Sequence, residues 1–251
     1  MKIWVDNALI ESSADFVGAD GWPVGSGVFE TIRTEQSRPQ LLSRHMRRVL
    51  LSARELSISL PNEDDVLDAV DNLLGAERHE LGRLRLSFSN EHFIATHERY
   101  LDSHSDMKVQ SHRLSSTSSS RKHKTFPYSH NLGLLEEAKS KGVDEFLFID
   151  SIGRVTEGAV SNFALRISGI WMTPPITAGI LPGVVRAIAI SHCGVAVRDI
   201  TEGDLATCDS AIAMSSLKIA LPIASLNGNS LALDDDTDQI CLKLRELART
   251  L

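Results

Sequence analysis

Residues 114–120 read LSSTSSS and close a polar stretch that begins near residue 102. Small hydroxyl residues at this density mark a connector rather than a packed element. The stretch divides a chain of 251 residues into two parts, each long enough to bury a core of its own. The expected layout is an N-terminal domain over 1–105, a linker over 106–120 and a C-terminal domain over 121–251. Hydrophobic period describes both parts. MKIWVDNALI suggests a short hairpin turning at Asp6-Asn7, VFETIRT (28–34) a strand, and Arg38-Pro39 a turn. The period then lengthens. Met46, Val49, Leu50, Ala53 and Leu56 fall at helical spacing, and EDDVLDAVDNLLG (63–75) opens on acids and ends on Gly75. LRLSF (84–88) alternates again, and the segment after it, SNEHFIATHERY, is expected to be a loop. Beyond the linker, helices are expected over 131–142, 182–191 and the C-terminal tail. Strands are expected at DEFLFID, VTEG, FALRI and 210–216. The fold class is α/β (α+β): a mixed N-terminal domain and a β-rich C-terminal domain with flanking helices.

The formal net charge of −7 gives no electrostatic case for nucleic acid or an acidic membrane as partner. No apolar run approaches the roughly 20 residues of a spanning helix. The first eleven residues carry two acids and no apolar stretch of signal-peptide length, so the expected location is the cytoplasm. Cys193, Cys208 and Cys241 lack metal-ligand spacing and are expected to be small buried hydrophobes.

Several segments carry chemistry. ITAGILPGVVR (176–186) sets two glycines and a proline before a helix, where free N–H groups favour phosphate. Arg48 ends an H-x-x-R element and is either a solvated helix arginine or a fixed positive charge. Ser215 and Ser216 close a strand and are either capping residues or added donors. Lys122 and Lys124 lie in RKHKTFPY, either a solvated basic face or the setting of an amine whose proton affinity is lowered by neighbouring cations, so that it can react with an aldehyde. Tyr128 adds a phenol. Glu157, in GRVTEGAVSNF, is a single acid in a stretch otherwise built for burial. Amine, phenol, carboxylate and phosphate cradle are what pyridoxal phosphate needs: a lysine for the aldehyde, arginine and helix N–H groups for the phosphate, and an acid to keep the pyridine nitrogen protonated.

Four blocks run through the chain in order: GSGVFETIR (25–33), LLSRHMRRVLLSARELSI (41–58), 123–165 with its VTEG and SN motifs, and TPPITAGILPGVVR (173–186). In that order they resemble the fold-type IV pyridoxal-phosphate enzymes, the class IV aminotransferase family. That group includes branched-chain and D-amino acid aminotransferases and 4-amino-4-deoxychorismate lyases. The resemblance implies that Lys124, rather than Lys122, carries the cofactor and moves protons, that Glu157 faces the pyridine nitrogen, and that Tyr128 lies near the ring oxygen. It further implies Arg48, the N–H groups of Val184 and Val185, and Ser216 at the phosphate, and a homodimer acting on a small amino-acid-like substrate.

Within the family the chain looks most like the lyases. It is compact, it has Thr31 where branched-chain enzymes typically have glycine, and it lacks the Arg-x-His element of the D-amino acid enzymes. A hydroxyl at Thr31 suits proton transfer to the substrate. The Gly-rich, Arg-containing loop expected after strand 84–88 is missing. Arg85, His97 and Arg99 therefore stand as candidates for the substrate carboxylate, with the solvated surface as the alternative place for each. The expected reaction is release of pyruvate and 4-aminobenzoate from aminodeoxychorismate; the alternative is transamination of a branched-chain or D-amino acid.

Overall fold

The computed structural model describes residues 1–102, 106–114 and 122–251. They form two compact units. The first holds Met1–Asp102 and, from further along the chain, His123–Tyr128; the second holds the described residues of Ser103–Lys122 together with Ser129–Leu251.

The first unit is built on a seven-stranded sheet. Its strands are β1 (Lys2–Val5), β2 (Ala8–Glu11), β3 (Gly27–Glu35), β4 (Arg38–Pro39), β5 (Leu81–Phe88) and β6 (Phe93–Arg99), ordered β2-β1-β6-β5-β3-β4, with β8 (Thr125–Phe126) on β3. Every pairing is antiparallel. Helices α1 (Leu42–Leu56) and α2 (Glu63–Ala76) cover one face. There Val28, Ile32, Leu84, Leu86, Phe88 and Ala95 pack against Val49, Val66, Val70 and Leu73. Asn62 starts α2 by accepting the Asp65 N–H, and three acids follow in its first turn. The period-2 alternation of β3 sends Phe29, Thr31 and Arg33 to the opposite face.

The second unit has an eight-stranded mixed sheet. Along β12 (Ala196–Val197), β11 (Ile170–Thr173), β10 (Asn162–Ile167), β13 (Cys208–Ser215), β14 (Ile219–Leu226), β7 (Met107–Arg113) and β9 (Glu145–Ile149) the strands are neighbours in that order, and β15 (Asn229–Ser230) pairs with β14. Strands β7 and β9 join in parallel and the hairpins antiparallel. Helices α4 (Val184–His192) and α5 (Asp235–Thr250) lie on β13, and α3 (Ser129–Ser140) lies on β9. The buried core joins Val109, Leu147, Phe163, Leu165, Ala213 and Leu221.

Three expectations are corrected. The loop expected after residue 88 is mostly strand β6. Its burial runs unbroken from Phe93 to His97, and polar Thr96 and His97 disguise it. The expected linker 106–120 contains β7, whose side chains alternate inward at Met107 and Val109; residues 115–120 lie outside the described residues. VTEG is no ladder strand but meets β9 through the isolated bridge Val155–Ile149 and backbone hydrogen bonds of Thr156 and Glu157 with Phe148. Among the described residues, no helix is long and apolar enough to cross a membrane. The cysteines are free; Cys241 is buried and the other two are half-buried. Burial pushes the Cys208 thiol up to about 11 and that of Cys241 up to about 12.

His97 is wholly buried on the helix-covered face. Its Nδ1 meets the Glu77 carbonyl at 2.6 Å and its Nε2 meets the Thr34 hydroxyl at 2.8 Å. Burial lowers its proton affinity, although the Glu77 carbonyl opposes this. Buried His45 is lowered as well, by burial against the pull of Glu30. The folded chain thus holds these rings neutral while the unfolded chain protonates them near the ordinary histidine value of about 6.5. Stability is full above that value and falls as pH drops through it, by at most about 1.4 kcal/mol per proton and pH unit. Urea unfolding at pH 7.5 and 5.5 should show lower stability in acid for the native sequence, and a smaller difference for His97→Gln. An undiminished difference in that variant would exclude His97 as a source.

Candidate active site

Each unit contributes its own constellation. In the first, Phe29 begins it. Its N–H donates to the Lys124 carbonyl at 2.9 Å, and β8 pairs with β3 immediately beyond. This seats the Lys124 Nζ 4.5 Å from the centre of the Phe29 ring and 4.8 Å from that of Tyr128. Tyr128 also packs on Trp22 at 5.4 Å. Lys124 is half-buried, whereas Lys122 is exposed. An amine among aromatic faces keeps attractive contacts while losing part of its water.

Two residues along β3 on this same face, Thr31 is half-buried and pairs directly with Arg85 of β5, which pairs in turn with Thr96 of β6. Ser87 lies opposite Phe29. Arg85 is 6% exposed. Its guanidinium stacks 3.8 Å above the Trp22 ring and donates to the Gly21 carbonyl at 2.5 Å. Among the described residues the Arg85 Nε and the Ser87 hydroxyl are buried with no hydrogen-bond partner. Burial, aided by Arg83, brings the Arg85 guanidinium down to about 10. A buried cation in this condition calls for an anion.

Arg48 lies on the helix-covered side of the sheet. Its Nε donates to Glu30 Oε1 at 2.7 Å and its NH2 to Oε2 at 2.5 Å, while His45 Nδ1 approaches Oε2 at 2.7 Å. Burial alone would raise Glu30, but Arg48 and His45 overcome it and hold the carboxyl at about 2. Arg48 is thus fixed by a bidentate ion pair. Of the other carboxylate candidates, Arg99 is exposed, and His97 is turned to the helix face and occupied there. Arg85 and His97 therefore depart from the solvated alternative.

In the second unit Glu157 is 6% exposed. Its Oε2 accepts the Asn162 amide at 3.0 Å and the Leu181 N–H at 3.0 Å. Asn162 also donates to the Leu181 carbonyl at 3.1 Å. One amide therefore ties the acid to the turn before α4. Gly183 caps that helix with no side-chain bond, and Val184 and Val185 are its first residues. A Cβ on Gly183 would overlap Asn162 Oδ1. The start of α4 thus keeps its N–H groups without a capping side chain, and its dipole favours an anion. Asn162 pairs with Met214 on β13, and Ser216 lies two residues further, in the turn to β14. Ser215 takes the local capping role instead, accepting the Lys218 N–H at 3.2 Å.

The structure brings Lys124, Tyr128 and Thr31 to one face of the first unit, and Glu157, Val184 and Val185 to one end of α4 in the second. The donor set fits pyridoxal phosphate: a part-desolvated amine, a phenol, a buried acid and an uncapped helix start. Sequence reasoning gave no role to Glu30, Ser87 or Asn162. Glu30 had one legible signal, an acid in register with apolar Val28 and Ile32.

A family model described as amino-transferase class IV matches residues 27–226. The aminodeoxychorismate lyase of Bacillus subtilis is 28% identical over 193 residues, 68% of this chain and 66% of that one. A putative branched-chain-amino-acid aminotransferase of Methanocaldococcus jannaschii is 24% identical over 98% of this chain and 94% of its own length. Among solved structures, a putative 4-amino-4-deoxychorismate lyase from Legionella pneumophila shares the fold with a TM-score of 0.81 at 24% identity, covering 88% of this chain and 90% of that one. The Escherichia coli branched-chain aminotransferase does so at 0.84 and 19%, covering 99% and 95%.

Gly183→Ala should force Asn162 away from Glu157 and the turn. Overpacking of this kind costs about 1–3 kcal/mol, so pyridoxal phosphate should bind roughly tenfold or more weakly in a fluorescence titration. Gly203→Ala, where the nearest atom to the added carbon is Thr201 Oγ1 at 3.7 Å, should bind as before.

Proposed function

Because the chain belongs to the class IV amino-transferase family of pyridoxal-phosphate-dependent enzymes, we propose that it is a lyase that splits 4-amino-4-deoxychorismate into pyruvate and the folate precursor 4-aminobenzoate. The observation that carries the choice is the row Thr31–Arg85 on the Lys124 side of the first unit's sheet. It offers a hydroxyl and a buried cation for a substrate that bears two carboxylates. The 28% identity to the B. subtilis lyase supports the same choice.

In this proposal Lys124 holds the cofactor and Tyr128 lies beside its ring oxygen. Glu157, kept in place by Asn162 and the Leu181 N–H, holds a proton on the ring nitrogen. Val184 and Val185 N–H groups, Ser216 and Arg48 serve the phosphate, the arginine as a positive charge that Glu30 holds in place. When bound, pyridoxal phosphate supplies an electron sink for the carbon next to the substrate amine. The Lys124 amine takes the proton from that carbon. Thr31 passes a proton to the departing enolpyruvyl group as its C–O bond to the ring breaks. Loss of the C–H proton and of the enolpyruvyl group leaves an aromatic ring, so aromatisation supplies much of the driving force. Arg85 binds a substrate carboxylate, and Trp22 stacked on it keeps water away. The family resemblance extends the proposal to a homodimer.

Borohydride reduction of the purified protein should bleach a visible band and leave a pyridoxyl group on the peptide containing Lys124; a group on Lys122 overturns that assignment. Aminodeoxychorismate should yield pyruvate and 4-aminobenzoate, and Thr31→Val should slow this by about 10²-fold or more, the usual scale of a lost proton-transfer group, with cofactor affinity unchanged. Transamination is favoured by the near full-length match to the M. jannaschii protein. Glutamate formed from 2-oxoglutarate and branched-chain or D-amino acids, with no 4-aminobenzoate, would select it. Arg85→Met should raise KM for the carboxylate substrate more than tenfold, the scale of a charge-assisted hydrogen bond of about 1.5–3 kcal/mol. An unchanged KM removes Arg85 from the substrate site.

A further inference from the structure

We propose that Glu145 is a positioning residue that locks the loop carrying Glu157 to the turn carrying Ser216. The inference rests on the reading above, in which those two residues serve the ring nitrogen and the phosphate. Glu145 opens β9 with 0% exposure, and its strand neighbours Phe146, Leu147, Phe148 and Ile149 are all buried apolar residues. An apolar side chain would suit such a position; a carboxylate there must find donors.

It finds them in two segments remote in sequence. The Val160 N–H donates to Oε1 at 2.8 Å, and the Ser161 hydroxyl to Oε2 at 2.8 Å. Both belong to the loop directly after Glu157, which closes on itself through the Gly158 N–H and the Ser161 carbonyl at 2.7 Å. Gly158 is required there, since a Cβ would overlap Glu145 Oε1. The Lys218 Nζ lies 3.4 Å from Oε2. Lys218 belongs to the β13–β14 turn, where its own N–H is capped by Ser215, one residue before Ser216. A single carboxylate on a rigid strand thus grips, by separate arms, the loop that presents the acid and the turn that presents the hydroxyl. The ion-pair arm reaches only the turn; the Val160 and Ser161 arm reaches only the loop. The two arms therefore predict separable losses.

The experiment titrates apoprotein with pyridoxal phosphate and with pyridoxal, which lacks the phosphate, following tryptophan fluorescence, and records the Tm of each variant. Lys218→Met cuts only the turn arm. Pyridoxal phosphate should then bind about tenfold or more weakly while pyridoxal binds as before. Ser161→Ala weakens only the loop arm, and both ligands should lose affinity by a similar factor. Glu145→Gln should lose affinity for both, with the larger loss for pyridoxal phosphate. If Glu145→Gln does not fold, Lys218→Met and Ser161→Ala decide the question alone. Lowered Tm with both affinities unchanged would make Glu145 a support of the fold only, and overturns the positioning role. Native protein that binds the two ligands equally would instead refute phosphate recognition itself, and the positioning role falls with it.

Discussion

The second unit turns on one buried carboxylate, Glu157, held by donors from β10 and from the turn before α4. Glu157 lies outside the named strands; its carbonyl accepts the Phe148 N–H of β9 at 2.9 Å, and one side-chain oxygen accepts the Asn162 amide and the Leu181 N–H. Asn162 is the first residue of β10 and Leu181 lies in the turn that starts α4, so an acid in a loop acquires the precision of a sheet and a helix at once. The same two bonds supply donors to a carboxyl group that has left water, which offsets part of the cost of burying it. They also hold the acid against the turn that starts α4. The arrangement tolerates little change at Gly183, because the Asn162 amide occupies the volume a side chain would need.

In the first unit, alternation divides labour between two faces. The tripeptide Phe29-Glu30-Thr31 sends Glu30 under the helices and its neighbours to the other side. Under the helices, Glu30 fixes Arg48 and His45 in a buried cluster. Replacing Glu30 costs about 3–5 kcal/mol, because the buried Arg48 charge loses the carboxylate it pairs with. On the other face Lys124 sits among aromatic rings, and Arg85 and Ser87 keep polar atoms that this unit does not satisfy. Among the described residues, one face thus carries a buried ion-paired cluster, and the other carries buried polar atoms without a hydrogen-bond partner.

Much of this was legible beforehand, for definite reasons. Helical spacing in 46–56 and 63–75 located α1 and α2, because their apolar stripes meet one sheet face. Lys124, Glu157, Val184 and Val185 were legible as residue types set against turns and helix starts. What escaped notice was polarity inside strands. Thr96 and His97 made β6 read as a loop, since a buried histidine satisfied by Thr34 and a carbonyl is indistinguishable in sequence from a solvated one. β7 is hidden in the same way: only Met107 and Val109 mark its inner face, and polar residues fill the rest of the strand. Arg85 could be named as a candidate but not placed, because the Trp22 that covers it lies more than sixty positions away along the chain.

The residues that would prepare the cofactor are separate from those that would choose the reaction. Anchoring an aldehyde, a ring nitrogen and a phosphate requires the same groups whatever follows proton removal, so Lys124, Glu157 and the start of α4 speak for the family and are silent on its products. After the proton leaves, the outcome depends on whether the substrate carries a group that can depart with gain of aromaticity. That is a property of the molecule admitted. In the proposed reading, admission would fall to a short cross-strand row in the first unit, Thr31, Arg85 and Thr96, with Ser87 beside it. On that reading a few side chains on one sheet face would carry the difference between two chemistries, which overall similarity, at 28% identity to a lyase and 24% to an aminotransferase, does not separate.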